Sequence, residues 1–212
     1  MASDYPILGP STISLPTFAA ILTNAHSPAA SDAPAMYAAI RAYGVDPAVV
    51  LAVMQHESSF GKAGIAIGRN NLAGARWYSG ILGTTFGATN RGGWAAFPTY
   101  AASAGYTASL LASHASQGTN GGTARTFPNW YAPASDGNKP AAYGLAVVNA
   151  INGWTGGVQA TATEGKLKAP TTPAKAPTAT AAGPVGGISS SQLYGVVVVA
   201  VAAILVLLVV KR

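Results

Sequence analysis

The sequence contains no cysteine and few charged residues. Its 212 residues include 12 Lys or Arg and 6 Asp or Glu. Without thiols there can be neither disulfide bridges nor thiolate metal ligands. The three histidines lack ligand spacing, so a zinc site would have to be assembled from distant parts of the chain. They are His26, His56 and His114.

The positive charge is unevenly distributed. Residues 1–160 hold seven Lys or Arg against five Asp or Glu, and most of the net charge of +6 belongs to the remaining residues. A nearly neutral body offers no electrostatic basis for nucleic-acid binding, although a mildly basic surface would suit an anionic polymer such as a cell wall. No basic region followed by an apolar run stands at the N-terminus, so we expect no cleavable secretory signal.

The C-terminal part of the sequence differs from the rest in composition. Residues 193–210 are uncharged and apolar, and as a helix they would span about 27 Å, close to the thickness of a bilayer core. They are followed by Lys211 and Arg212, which can reach lipid headgroups. We therefore predict a single membrane anchor in a lipid bilayer, with a buried core helix or strand as the alternative. Residues 161–192, rich in Ala, Thr and Pro, are predicted to form a flexible linker.

Residues 1–160 are left as the folded domain, and their pattern predicts a mainly α fold with long Gly-rich loops. Apolar periodicity and capping signals indicate five helices. They cover Leu15–Asn24, a stretch from Asp32 to Gly44, a stretch from Asp46 to Glu57, residues 98–117 and residues 139–154. Between them, Gly- and Asn-rich loops are expected to dominate residues 61–93.

The third predicted helix carries the candidate catalytic group. It opens with Asp46-Pro47, an N-cap followed by proline at the first helical position, and it is apolar on nearly all faces until Glu57. We expect it to be the buried central helix. Burial and the negative end of a helix dipole both favour the protonated form of a carboxyl, which is what a general acid requires. The alternative is an ordinary surface glutamate at a fraying helix end.

Four motifs follow one another in an order that resembles a known family. They are Glu57-Ser-Ser-Phe-Gly61, Asn70-Asn-Leu-Ala-Gly74, Trp94-Ala-Ala-Phe97-Pro-Thr-Tyr100-Ala-Ala-Ser103, and Tyr131-Ala-Pro133-Ala-Ser-Asp136-Gly-Asn138 with the later Tyr143. Together they resemble the glucosaminidase-type branch of the lysozyme-like superfamily. The resemblance implies a mostly helical lysozyme-like fold, cleavage of peptidoglycan glycan strands, and no metal or other cofactor. It assigns the acid role to Glu57 and an active-site tyrosine role to Tyr131.

A second catalytic carboxylate is harder to place. Asp46 lies about 16 Å from Glu57 along the helix, beyond the separation of about 9.5 Å that inverting glycosidases use. Asp32 is predicted to cap a helix, and Asp4 belongs to the terminus. Asp136 either stabilises a turn or acts as a base. We therefore hypothesise one essential carboxyl, with the sugar cation captured by the substrate's N-acetyl group or by its 6-hydroxyl.

Five residues are candidates for binding the sugar chain. They are Asn70, Asn71, Gly74, Trp77 and Tyr100. The two asparagines could equally hold the Gly-rich loop, and an aromatic residue in a small helical domain is often part of the core. Arg76 and Arg91 either meet the peptide carboxylates of the wall or are simply solvated.

Three functions remain open at this point. The first is a membrane-anchored, peptidoglycan-cleaving glycosidase, and the second is a lytic transglycosylase that forms 1,6-anhydro products. The third is a non-catalytic wall-binding membrane protein. A wall enzyme held by a C-terminal anchor and lacking a secretory signal fits either a viral internal membrane or a bacterial envelope reached by an unusual export route.

Overall fold

The computed structural model describes residues 4–116 and 122–156. The predicted linker (161–192) and the predicted anchor (193–210) lie outside the described residues. Across the two described ranges, every helix is too short or too polar to cross a bilayer.

The described part of the chain is mainly helical, as predicted. Seven α-helices alternate with three single 3₁₀ turns and one short hairpin. The helices are α1 (Leu15–Asn24), α2 (Ala33–Arg41), α3 (Pro47–Ser58), α4 (Ile81–Phe86), α5 (Tyr100–Ala115), α6 (Pro128–Tyr131) and α7 (Pro140–Thr155). The 3₁₀ turns cover Ala30–Asp32, Gly64–Ala66 and Ala134–Asp136.

The predicted helix positions agree closely with the structure, except at the end of the second helix. That helix stops at Arg41 rather than at Gly44, because the chain turns through residues 42–44, and the Gly44 backbone N–H bonds to the Arg41 carbonyl at 2.9 Å. Asp32 stands at the N-cap position of α2, but its side chain makes no capping hydrogen bond. The prediction that Asp32 caps this helix through its side chain is therefore wrong.

Helix α3 forms the centre of the main core. Its N-cap Asp46 accepts a hydrogen bond from the Ala48 N–H at 2.9 Å, as the Asp-Pro signal predicted. Every residue from 47 to 54 is buried, because α1, α2, α5 and α7 all pack against α3. Burying each large aliphatic side chain stabilises the fold by about 1.5–3 kcal/mol, so this helix is a firm support for whatever its C-terminus carries.

Helix α7 packs closely against the chain segment that precedes α6. A Cβ atom added at Gly144 would lie 2.2 Å from the Arg125 carbonyl oxygen, a distance that no side chain tolerates. Only glycine at this position lets α7 lie this close to the backbone of Arg125. This contact matters for the site, because the neighbouring residue Tyr143 is buried at the same helix turn.

The predicted loop region contains regular structure that the sequence pattern did not indicate. Helix α4 is followed by the hairpin of β1 (Thr89–Arg91) and β2 (Trp94–Ala96). Gly92 and Gly93 connect the strands with φ of 67° and 80°, the left-handed values that a tight two-residue hairpin turn requires. A further β-bridge joins Arg76 to Trp94. We call residues 64–97 the small lobe. Its own core consists of Leu82, Ala88, Ala95 and Phe97.

Candidate active site

Glu57 occupies the last turn of α3, where the helix ends abruptly. Ser59 adopts the left-handed conformation at the C-cap, with φ of 49°, and Phe60 follows with φ of 60°. The Glu57 side chain is exposed, although Ser58 beside it is buried. The expectation that this carboxyl is buried is therefore wrong. The physical reason is that α3 leaves the core at its final turn and presents the carboxyl at the surface.

The end of α3 does not fray, because Ser58 is bonded on several sides. Its hydroxyl donates to the Leu72 carbonyl at 2.7 Å and to the Met54 carbonyl at 3.1 Å. The same oxygen accepts from the Gly61 N–H at 2.9 Å. A side chain at such an end is held in a defined position even when it is exposed.

A tyrosine from α7 binds the Glu57 carboxyl directly. The Tyr143 hydroxyl donates to Glu57 Oε1 at 2.7 Å, across 86 residues of sequence. The Tyr143 ring packs on His56, with ring centroids 4.1 Å apart. Burial, together with nearby Tyr131 and Glu57, raises the pKa of Tyr143. The hydroxyl therefore remains a proton-bearing donor throughout the neutral range.

Tyr131 lies beside Tyr143, as part of one aromatic cluster. Their ring centroids are 6.0 Å apart, and Phe127 contacts both rings edge-on. The Tyr131 hydroxyl donates to the Ala73 carbonyl at 2.9 Å. Burial first, and then the charge of Glu57, raise the pKa of Tyr131 well above its usual value. The structure thus brings the predicted Tyr131 close to Glu57, with its hydroxyl attached to the facing loop.

The loop that faces Glu57 approaches it through a glycine. Gly74 has φ of 68°, and a Cβ atom there would lie 3.5 Å from Glu57 Oε2. Its missing side chain leaves open space against that carboxyl oxygen. Gly74, one of the predicted substrate-binding residues, therefore borders the site.

The two predicted asparagines hold this loop in place. Asn71 is fully buried; its amide donates to the carbonyls of Ala75 and Ala95, and its oxygen accepts from the Ala75 N–H. A side chain so enclosed cannot contact a sugar, and the substrate-binding prediction for Asn71 is wrong. Asn70 is half-buried with φ of 50°, and its amide donates to the Phe97 carbonyl at 2.9 Å. The sequence allowed either sugar binding or support of the Gly-rich loop for Asn70, and these contacts favour support of the loop.

The remaining two sugar-binding candidates are half-buried and pack against hydrophobic cores. Trp77 packs against the small-lobe core, and its Cη2 atom is 3.4 Å from the position of a Cβ at Gly83. Tyr100 packs against the main core at the start of α5. Burial and the charge of Asp32 raise the pKa of Tyr100, which places it toward the start of α2.

The other carboxylates of the described residues have different partners. Asp46 is buried at the opposite end of α3, where it accepts hydrogen bonds from both Thr12 and Ala48, and burial raises its pKa. Asp4 accepts from the Arg125 N–H. Asp136 is exposed and accepts from the neighbouring Ser135 hydroxyl at 3.2 Å. In residues 4–116 and 122–156, no group of three His, Asp or Glu side chains is placed to hold a metal ion.

Sequence reasoning did not single out Tyr143 or Ser103 as site residues. Ser103, buried on α5, accepts from the Leu72 N–H at 3.1 Å, while Ser58 binds the Leu72 carbonyl on the other side. Both residues belong to the motifs that carry the family resemblance, and this was the available signal. Their spacing relative to Glu57 did not indicate that they lie close to it.

Comparison with known proteins identifies the family of the chain. A family model for glucosaminidases, described as mannosyl-glycoprotein endo-beta-N-acetylglucosaminidase, matches residues 33–162. No curated protein and no solved structure matches the chain. The matched range contains Glu57 and the facing loop, together with Tyr131 and Tyr143. The chain belongs to the glucosaminidase family and is a glycosidase that acts on peptidoglycan.

Proposed function

We propose that Glu57 is the general acid of this glycosidase and its one essential carboxyl. The observation that carries the proposal is the hydrogen bond from Tyr143 to Glu57 Oε1, which fixes the carboxyl at the surface next to Gly74. A general acid must reach the glycosidic oxygen of a large polymer. An exposed but rigidly held carboxyl satisfies that requirement better than a buried one.

The two carboxyl oxygens have different environments, which suggests where the catalytic proton resides. Oε1 accepts from Tyr143, so in the neutral acid the proton belongs on Oε2. Oε2 faces Gly74, where no side chain occupies the space. The glycosidic oxygen would enter this space and take the proton as the bond to the sugar's anomeric carbon breaks.

The sugar cation that forms is then captured by a group of the substrate itself. If the N-acetyl oxygen attacks, the resulting ring is opened by water and the net reaction is hydrolysis. If the 6-hydroxyl attacks and passes its proton to the Glu57 carboxylate, a 1,6-anhydro sugar results and the enzyme is a lytic transglycosylase. Tyr131, beside Glu57, would support the cation or orient the acetamido group. The burial of Asp46 at the opposite end of α3 supports a one-carboxyl route, because this acid is not available as a second catalytic group.

Replacing Glu57 with glutamine tests this assignment. The Glu57→Gln side chain keeps its size and can still accept from Tyr143, so the fold should persist while muropeptide release falls by about 10²–10⁴-fold. The matched control is Asp136→Asn, which neutralises the other exposed acid close in sequence to Tyr131 and should retain activity. Retained activity in Glu57→Gln overturns the proposal, whereas comparable losses in both variants indicate a two-carboxyl mechanism.

Mass spectrometry of the released fragments separates the remaining functions. Anhydro products are lighter than hydrolysed reducing ends by one water, and they identify a transglycosylase. If the unaltered protein binds walls but releases no fragment, it is a wall-binding protein without activity.

We also propose that residues 193–210 attach the enzyme to a bilayer, in a viral internal membrane or in a bacterial envelope. The uncharged apolar run followed by Lys211 and Arg212 supports this proposal. Virion purification or cell fractionation, followed by protease treatment of the intact membranes, shows where the catalytic domain is exposed. Recovery of the full chain in the soluble fraction would contradict it.

A further inference from the structure

Positive charge is concentrated around the small lobe. Between Glu57 and Asp136 the sequence contains five Lys or Arg and no Asp or Glu. Three of the five lie in the small lobe, which therefore carries a net charge of +3. They are Arg69, Arg76 and Arg91. Since the lobe has no carboxylate of its own, its guanidinium groups have no internal ion-pair partner there.

Two of these arginines flank a tryptophan on one face of the hairpin. Trp94 pairs with Arg91 on one side and with Arg76 on the other. Side chains directly opposite each other in antiparallel strands project from the same face. The Arg76 guanidinium lies over the Trp94 ring, 4.3 Å from its centroid. We call this row of Arg76, Trp94 and Arg91 the arginine platform.

Both arginines of the platform are exposed, and both retain unused donors. Arg91 uses Nη1 to bind the Gly68 carbonyl at 2.6 Å, which orders the side chain and leaves its other N–H groups available. Arg76 is exposed and stacks on Trp94. Such pre-ordered guanidinium groups lose less conformational entropy on binding than free surface lysines do.

The platform adjoins the catalytic carboxyl. Arg76 follows Gly74 by two residues, and Gly74 borders Glu57 Oε2. Two residues of extended chain span at most about 7 Å. An anion bound at the platform therefore belongs to the same stretch of polymer as the glycosidic bond at Glu57.

We propose that the arginine platform binds the carboxylates of the peptide stems that peptidoglycan strands carry, so that the enzyme prefers strands with their peptides attached. The inference rests on the proposed function and names the part of the substrate that is recognised beyond the sugars. The planar fork of arginine matches a carboxylate with two parallel hydrogen bonds. The peptide stems place carboxylates beside the glycan at regular intervals.

The test compares two substrates that differ only in their peptides. One is glycan strands with intact stems, and the other is the same strands after an amidase has removed the stems. For Arg76→Gln, the ratio of kcat/KM on peptide-bearing strands to kcat/KM on stripped strands should fall about fivefold, the range of one exposed ion pair. The fall should shrink at high salt, since exposed charges are screened.

The matched control is Lys62→Gln, which removes the same charge outside the small lobe. The Lys62 ammonium is already bound to the Ala25 carbonyl at 2.6 Å, so this variant should keep the unaltered ratio. A ratio that is unchanged in Arg76→Gln overturns the proposal. So does a ratio that falls equally in both variants, because net charge alone then explains it.

A binding measurement separates failure of this inference from failure of the proposed function. The full chain carrying Glu57→Gln is sedimented with insoluble peptidoglycan, with and without Arg76→Gln. Weaker sedimentation of the double variant on peptide-bearing wall alone supports the platform even if no cleavage is detected. The difference in sedimentation between the single and the double variant could also disappear only when phosphate-containing wall polymers are removed. In that case the platform binds phosphate and the peptide proposal is wrong.

Discussion

The main helical core and the small lobe are stabilised by different interactions. In the core, α3 is enclosed by α1, α2, α5 and α7, and its residues from 47 to 54 are buried aliphatic or small side chains. In the small lobe, the buried apolar cluster consists of two alanines, a leucine and a phenylalanine, with half-buried side chains such as Trp77 packed around it. The lobe contains many of the residues with positive φ, and most of them are glycines. Burial alone therefore cannot hold the lobe in a single conformation.

Hydrogen bonds from buried side chains take the place of burial in the lobe. Asn71 binds two backbone groups of Ala75 and the carbonyl of Ala95, and two buried serines of the core bind Leu72 from either side. Glu57 lies where the two regions meet. The comparison indicates that the core supplies the acid and its tyrosine partner, whereas the polar network of the lobe shapes the space in front of the acid.

Among the variants that test this contrast between core and lobe, Asn71→Ala should have the largest effect, because it removes the centre of that network. One N–H and two carbonyl groups would lose their buried partners, at a cost of about 2–4 kcal/mol. The Gly74 loop would lose its position, and activity should fall at least about tenfold. Hydrogen exchange should show lost protection in residues 71–97, with the amides of α3 and α7 still protected.

The control for this variant is Asn90→Ala in the same lobe. The Asn90 side chain accepts one exposed hydrogen bond from the Gly93 N–H, so its loss should have little effect on activity. If Asn71→Ala weakens protection equally in core and lobe, the two regions unfold as one unit and the contrast drawn between them is wrong.

A smaller effect is expected from Tyr143→Phe, on the core side of the site. The variant keeps the ring packed on His56 and Phe127 and removes only the hydroxyl that donates to Glu57. A hydrogen bond to a charged group contributes about 1.5–3 kcal/mol, so kcat should fall by about tenfold or more. Thermal stability should change little by comparison.

A second tyrosine variant distinguishes positioning of Glu57 from a packing role for Tyr143. Tyr5→Phe also removes a buried tyrosine hydroxyl, one that bonds to Asn152 rather than to Glu57. Its kcat should stay close to that of the unaltered protein, whereas kcat falls in Tyr143→Phe. An equal loss of kcat in both variants would show that the effect is structural.

The same contrast explains which features the sequence predicted. Helices α1 and α3 were predicted closely because Pro16 and the Asp46-Pro47 pair mark their starts, and local apolar periodicity marks their extent. Helix α4 and the hairpin were not predicted, because segments rich in glycine carry no periodic signal. In the lobe the structure depends on contacts between residues far apart in sequence, which local patterns do not report.

The site was predicted in part for the same reason. Glu57, Gly74 and Tyr131 belong to contiguous motifs, and the structure brings them together. Asn71 was misassigned because an asparagine amide suits a sugar and a backbone equally well, and only its burial decides between them. Tyr143 belongs to the last of these motifs but was given no role, because its partner lies 86 residues away, on a different helix.

The smallest effect is expected at Ser59, the residue where the core helix ends and the chain turns toward the lobe. It is exposed and left-handed, with φ of 49° and ψ of 48°, a conformation that glycine adopts without steric cost. Ser59→Gly should raise the free energy of unfolding by about 0.5–1 kcal/mol, measured from denaturant midpoints by circular dichroism. Ser116→Gly is the matched control, because Ser116 caps α5 with φ of −71°, where glycine should lower stability instead. A gain in the free energy of unfolding for Ser59→Gly with a loss for Ser116→Gly would show that the chain accepts backbone strain at the junction beside Glu57. A loss in both variants would mean that the Ser59 side chain itself stabilises the fold.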